Sequence, residues 1–484
     1  MIPPQSSRAT GERRLARYLI TILYFGLVLA ITPWLQDVQA SIHQMVLIGT
    51  LAVGYLGLLL CFRNGFRPML AVILVFFLCW LVIPSIYQLA HNQVAWGDST
   101  VLHAEPFTTG ALLLNFSCLG IFVLGYSVHA KAQSRFRSFT KSTSHLRQLT
   151  LVRFIVLFIA ASTLLLPFVI NSYGGTDWIF ATRSEAQNAR EATGLTLNSS
   201  GGALVALISF VPAGLATAAL TLCVFLLKNF SMRRRHGAQV SLLVVLSVIS
   251  LVLVLIYANP IANTRFMSLA AFGPALLLLW HPTRALRGLV TVGVLFFAFL
   301  LVYPLAPVLQ GDALSIDTNI FAGVDFDGFQ QIINTMLYVD GTGHTGGIYL
   351  LSALGFFIPR GLWDAKTSPA SLDVSAASDY VFVNLSLPVH AEIYLEFGWI
   401  GILLACWLLA WLWCTLDRAW ITKSPWSLLT AVLAMAQIGL MRGPLGAQVP
   451  VVAVAIGAVV FVVLVAKPER LAHDEFEGSA QGAP

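Results

Sequence analysis

A chain of 484 residues that is 57% hydrophobic and only 10% charged does not have the make-up of a water-soluble globule, in which about 25% of residues are charged. With a mean hydropathy of +0.81, the composition predicts an all-α, polytopic integral membrane protein with one membrane domain over 1–484. The net charge of +6 would suit nucleic acid, but its placement along the chain argues against that partner, and six cysteines without a CxxC argue against a zinc or disulfide framework.

The chain opens MIPPQSSRATGERRLARYLI and runs into an apolar stretch from Tyr18 to Trp34. That stretch is too long for a signal-peptide core and lacks a small-residue cleavage site, so it reads as a retained first span. Further apolar segments follow at about 43–62, 69–89, 108–128, 152–171, 202–228, 239–258, 266–281, 287–305, 389–415, 426–441 and 446–466. They predict about 12 transmembrane helices, with 11 to 14 as the range, because the segments at 266–281 and 426–441 are short for a bilayer core.

Basic residues set the orientation. With the N-terminus inside, 22 of the 28 basic residues fall on the cytoplasmic side and 16 of the 22 acidic ones on the other. Both termini are then expected in the cytoplasm. The basic runs at 131–141 and 233–235 lie in cytoplasmic loops, where topological sorting accounts for them and anionic membrane lipids are the alternative contact. Six cations remain outside: Arg183, Arg190, Arg265, Arg360, Lys366 and Arg442. Arg265 and Arg442 abut apolar spans, where an unpaired charge is costly. A negatively charged ligand or buried carboxylate partners would explain them.

The outer loops differ in content. AHNQVAWGDSTVLHAEPF (90–107) is polar and reads as a plain connector. The loop at 172–200 carries Trp178 ahead of Arg183, and ATRSEAQNAREA within it has the propensity of a short surface helix bearing Arg190. The longest weakly hydrophobic interval, 306–388, is expected to form a helical periplasmic cap. Within it, GVDFDGFQQIINTMLYVDG spaces Phe326, Phe329, Ile332, Ile333 and Leu337 as an amphipathic helix in the interface plane. Asp325 and Asp327 then read as a solvated acidic face. GHTGGIYLLSALGFFIP suggests an interfacial or re-entrant helix ending at Pro359, directly before Arg360, Trp363 and Lys366.

The run FFIPRGLWDAK (356–366) and the segment HAEIYLEFGWIG (390–401), set in this polytopic plan with a late outer loop, resemble the Wzy-type oligosaccharide repeat-unit polymerases of O-antigen and exopolysaccharide synthesis. The related O-antigen ligases share a similar late segment, matched here by His390, Glu396, Gly398 and Gly401, although Ala391 stands where those ligases have asparagine. The interval from Arg183 to Gly194 also fits an Arg-x10-Gly spacing described for some polymerases. The resemblance implies a GT-C-like membrane glycosyltransferase of the bacterial inner membrane. It would act on undecaprenyl-diphosphate-linked oligosaccharides, beside a flippase and a chain-length regulator, with no cofactor or metal.

The residues suit that chemistry. A diphosphate leaving group calls for fixed cations, and arginine supplies bidentate donors to phosphate oxygens. Arg265, Arg360 and Arg442 come first and Lys366 next, with Arg183 and Arg190 as further contacts. His390 has the charge change suited to a general base, and Glu392 or Glu396, one helical turn apart, could replace or orient it. Trp178, Trp363 and Tyr394 are candidate sugar platforms, though the same residues populate aromatic belts. Two other readings stand beside polymerisation: ligation of glycan to lipid A–core, and a non-enzymatic transporter or flippase. The latter predicts ionisable residues deep in the middle spans, where this sequence has few.

Overall fold

The computed structural model describes residues 5–135, 147–172, 175–179, 185, 188, 202–230, 237–261, 263–302, 320–380 and 385–466. Among them the chain is all-helical, without a strand. In order the principal helices are α1 (Gln5–Asp37), α2 (Ser41–Leu60), α3 (Pro68–His91), α4 (Phe107–Arg135), α5 (Gln148–Ser172), α6 (Gly202–Phe230), α7 (Gly237–Tyr257), α8 (Arg265–Trp280) and α9 (Ala285–Phe297). Then come α10 (Gly328–Thr342), α11 (Ile348–Leu354), α12 (Ala370–Ala377), α13 (Val389–Ile421), α14 (Ser427–Arg442) and α15 (Leu445–Val465).

Nine of the described helices, α1–α7, α13 and α15, are long and apolar enough to cross a membrane, which makes this a multi-pass membrane protein. The three other segments read as spans from the sequence fall on the shorter apolar helices α8, α9 and α14. Large apolar side chains such as Leu29, Leu164 and Ile400 stand more than 70% exposed on the outside of the bundle, where hydrocarbon is their natural solvent.

Helix α3 is the axis of the bundle. It is apolar on every side and buried from Pro68 to Gln88, with α2, α9, α13 and α14 packed around it. Pro68 starts it in a compatible position, but no residue of its own caps it. Asp417 of α13 does so instead, accepting from the Met69 and Leu70 N–H groups at 2.8 and 3.1 Å and from the Tyr126 hydroxyl at 2.6 Å. Further along, Leu78–Val82 forms a π turn just before Pro84. Proline there removes an N–H and crowds the preceding turn, so the helix widens locally and carries Trp80 out of regular register.

The interval between α9 and α13 departs from the expectation of a helix lying in the interface plane. Helix α10 buries both of its faces: Phe329, Ile332 and Ile333, but also Gln330, Gln331, Asn334 and Thr335. It packs on α4, α12 and α13 inside the protein. The amides that a solvent-facing reading places in water are engaged with the 90–107 loop and with Tyr380.

Candidate functional site: a cleft with two arginines on one carboxylate

The end of α14, the starts of α8, α13 and α15, and the end of α3 gather at one end of the bundle. Thr264 caps α8, its hydroxyl accepting from Met267 N–H at 3.4 Å, and so fixes Arg265 at the first helical position. Arg442 closes α14, where the chain turns through Gly443 and Pro444 into α15. The Leu387 N–H donates to the Arg442 carbonyl at 3.1 Å, tying the strap before α13 to the same corner. These two arginines, 177 residues apart in sequence, converge on Asp325: Arg265 Nη1 reaches Oδ2 at 3.1 Å and Arg442 Nη2 reaches Oδ1 at 3.3 Å.

The Arg442 guanidinium also lies 4.8 Å from the Phe266 ring centre and 5.3 Å from that of Trp80. The π turn of α3 thus delivers an aromatic surface under a cation. Side-chain exposure of 22% for each arginine and 29% for Asp325 leaves all three within reach of a ligand. They line a cavity of about 210 Å³ with Trp96, Thr264, Leu385, Ser386, Gly443 and Gln448. That volume is below the roughly 300–1,000 Å³ of whole-ligand sites, so it suits a charged headgroup better than a glycan.

One wall is rigidly built. The Trp96 N–H donates to Gln330 Oε1 at 3.1 Å while Gln330 Nε2 donates back to the Trp96 carbonyl at 2.5 Å. The Trp96 indole donates to Asp327 Oδ2 at 3.0 Å, and the Ser386 N–H donates to the same oxygen at 3.2 Å. Asp327 is buried, and its Oδ1 has no hydrogen-bond partner. Burial pushes its carboxyl above the usual aspartate range, with Arg442 and the Ser386 and Trp96 donors opposing. Gln88 of α3 clamps the segment before α10, donating to the carbonyls of Phe321 and Phe326 at 2.8 and 2.9 Å.

Of the residues singled out from the sequence, the structure brings Arg265 and Arg442 together. It sets the other described candidates apart from that cavity. Arg360 donates to Ser368 Oγ at 2.9 Å on an exposed turn. Lys366 donates to the Phe356 and Ile358 carbonyls at 2.9 and 2.8 Å, closing the turn after α11; burial, with Arg360 nearby, lowers its pKa. Trp363 packs over Gly355, where a Cβ would come within 2.6 Å of its ring. Tyr394 stacks edge-on against His344 and Trp399.

The three base candidates on α13 are each engaged elsewhere. His390 is buried, donates from Nε2 to Asn115 Oδ1 at 2.8 Å and lies against Phe77. Glu396 caps α11: one oxygen accepts from the Gly347 N–H and Thr345 hydroxyl, both at 2.6 Å, and the other from the Leu350 N–H at 2.8 Å. Glu392 accepts from the Leu445 N–H at 2.7 Å at the start of α15, one residue from the cavity wall at Pro444, and its Oε1 is buried without a partner. Gly398 breaks α13 between this anchoring turn and the long span. Its φ of +62° and the His344 ring 2.9 Å from a would-be Cβ exclude other residues without strain.

Arg183, Arg190 and the side chain of Trp178 lie outside the described residues. The backbone turn Asp177–Ile179 is held by the Asn259 amide, which donates to the Ile179 carbonyl at 2.6 Å, so the 172–200 loop begins beside the turn that leads to Arg265. Among the described residues no cluster of three or more His, Cys, Asp or Glu could hold a metal ion.

Sequence reading missed Asp325, Asp327 and Trp96. Asp325 and Asp327 are not a solvated acidic face: one holds both arginines and the other is buried under the wall. The available signal was the run Gln330, Gln331, Asn334, whose amides need buried partners if α10 is enclosed. Comparison with protein-family models, curated proteins and solved structures finds no match to this chain.

Proposed function

We propose that this protein is a polysaccharide polymerase that joins lipid-diphosphate-linked oligosaccharide repeats on the outer face of a bacterial inner membrane. The observation that carries the proposal is the convergence of Arg265 and Arg442, at the ends of two separate membrane helices, on a small headgroup-sized cavity. A diphosphate there takes over the guanidinium donors that Asp325 uses at rest, and the two cations offset the charge that develops as the lipid diphosphate departs.

Displaced from the arginines, Asp325, which alone among the described lining residues carries a carboxylate, acts as the general base. The acceptor hydroxyl oxygen bonds to the anomeric carbon of the donor as the bond from that carbon to the phosphate oxygen breaks. The hydroxyl proton passes to the Asp325 carboxylate and the electron pair leaves with the lipid diphosphate. His390, Glu392 and Glu396 hold the surrounding helices in this account, and the remaining family traits (12 spans, a GT-C-like architecture, a flippase and a chain-length regulator as partners) belong to the same proposal.

The test uses the purified full chain in proteoliposomes with the host's lipid-linked repeat-unit pool, alone and with lipid A–core oligosaccharide. Products that lengthen by whole repeats support polymerisation. Transfer to core alone makes the protein a ligase, and the absence of any transfer removes the enzymatic reading. Asp325→Asn separates the two roles given to this residue: turnover falls about 10³-fold, while binding of geranyl diphosphate, a short lipid diphosphate, is retained or tightened because the competing carboxylate charge is gone.

A further inference from the structure

Next to the arginine cleft lies an open groove of about 650 Å³ whose polar side chains come from Asn92, Gln93, Asp98 and Ser99, with Ala322 and Gly323 as the facing wall. The two cavities are lined by neighbouring residues along both walls. In the 92–99 loop Trp96 lines the cleft while Val94 and Gly97 line the groove, and in the facing segment the groove side ends at Gly323 and the cleft side begins at Val324 and Asp325. We propose that this groove is the acceptor-sugar subsite of the transferase described above, on which reading the proposal rests.

Its chemistry selects a polyhydroxyl ligand. Among the described residues no lysine or arginine lines it, so its lining gives an anion no cation to pair with, and a single aspartate is no metal site. Amide, carboxylate and hydroxyl groups together present donors and acceptors in the mixture that sugar hydroxyls, themselves both donor and acceptor, can satisfy. The volume lies within the range of small-molecule sites, in contrast to the headgroup-sized cleft beside it.

Behind the groove lining lies an unmet hydrogen-bonding demand. The Gln93 side-chain oxygen is shielded from water and has no donor, a state that native structures avoid unless something else completes it. Around it the framework is fixed. Asn92 is in the left-handed conformation at the end of α3, φ +52°, and its Oδ1 accepts from His103 Nε2 at 2.8 Å. Asp98 accepts from the Thr100 N–H at 3.2 Å. The Gln93 N–H is anchored on the Gln88 carbonyl at 3.1 Å. Gln88 also clamps the facing segment through the Phe321 and Phe326 carbonyls, so one residue sets the groove's width. A terminal sugar seated here directs a hydroxyl past Trp96 toward Asp325, on the side opposite the lipid diphosphate.

The experiment uses the full chain in nanodiscs and two probes: geranyl diphosphate for the cleft, and a panel of lactose, cellobiose, maltose and N,N′-diacetylchitobiose for the groove, read by saturation-transfer NMR. The combined Gln93→Ala, Asp98→Ala variant is expected to weaken saccharide binding at least about 10-fold and leave geranyl diphosphate affinity within about twofold. Ser99→Arg, which fills the groove from a second position, should do the same, and Arg265→Gln should give the reverse pattern. If wild type binds no saccharide of the panel, or if the groove variants bind it as wild type does, the subsite is overturned. Failure of the transferase reading is seen separately, as wild type that does not bind geranyl diphosphate whatever the saccharides do.

Discussion

Both ends of the helix bundle place an arginine, an aspartate and an aromatic ring together, and the two sets behave as opposites. At the start of α3, Asp417 is 1% exposed and accepts three hydrogen bonds, from Met69, Leu70 and Tyr126, with the Arg67 guanidinium 5.2 Å from the Tyr126 ring. At the far end, Asp325 accepts from Arg265 and Arg442, and all three stand partly open on a cavity. The first set is enclosed and fixes a helix terminus. The second is an ion pair open to a cavity, where a ligand's oxygens can compete for the guanidinium donors. Identity of residue types says little here; burial and the presence of a cavity distinguish scaffold from site.

The largest expected effect tests the open end. Arg442→Gln is expected to lower turnover about 10²–10³-fold, the size of losing a principal charge-stabilising donor, with little change in thermal unfolding, because its partner carboxylate remains solvated. Initial rates with the lipid-linked repeat and a thermal scan of the same preparation read both. A variant that unfolds as it loses activity would place the open set with the scaffold and end the contrast.

Next in size, Asp417→Ala should destabilise by roughly 3–5 kcal/mol, since it leaves two helix N–H groups and a tyrosine hydroxyl without their acceptor and removes a negative charge that acts on the buried Arg67. Turnover per folded molecule should stay close to wild type. Denaturant unfolding in detergent gives the first value and active-site-normalised rates the second. Turnover that collapses while stability holds would mean that the enclosed end takes part in function.

Glu396→Gln sharpens the contrast on an intermediate residue. It is buried like Asp417, yet it lies on the same side of the bundle as the cleft. Replacing the charge at the α11 N-terminus keeps the shape but weakens three charge-assisted bonds, at a cost of about 1–2 kcal/mol. Loosening is expected locally, as faster proteolysis within 343–369. A loss of turnover as deep as that of Arg442→Gln, without this loosening, would return Glu396 to the chemistry.

How much of this was legible in the sequence follows from the range of the signals. Apolar runs and the side preference of basic residues depend on near neighbours, so the helices at 389–421 and 445–465 fall where hydropathy puts them. Arg265 and Arg442 stood out because a cation at an outer span end has no topological use. Their common partner did not, since nothing local joins Asp325 to residues 60 and 117 positions away. Helix α10 misled for a related reason. Its apolar spacing is genuine, but Gln330 and Asn334 on the other face are buried against Trp96 and Tyr380, partners that only tertiary structure supplies. His390 and Glu396 carried the sequence resemblance, yet they hold helices together.

The smallest effect concerns Asp327, a carboxylate buried behind the wall of the open site. Burial, opposed by Arg442 and its two donors, raises its pKa in the folded protein. Between the ordinary aspartate range and that raised value the folded state retains a proton that the unfolded chain has lost. Stability from this group is therefore fully present at acid pH and falls as pH rises through the folded pKa. Asp327→Asn keeps an oxygen to accept from Trp96 and Ser386, places an amide where Oδ1 has no partner, and removes the titration. The variant should unfold within about 2 °C of wild type at pH 4 and lose less stability than wild type between pH 4 and 7, as thermal scans across that range will read. An unchanged pH slope would assign the titration to another group and leave Asp327 a purely geometric support for Trp96.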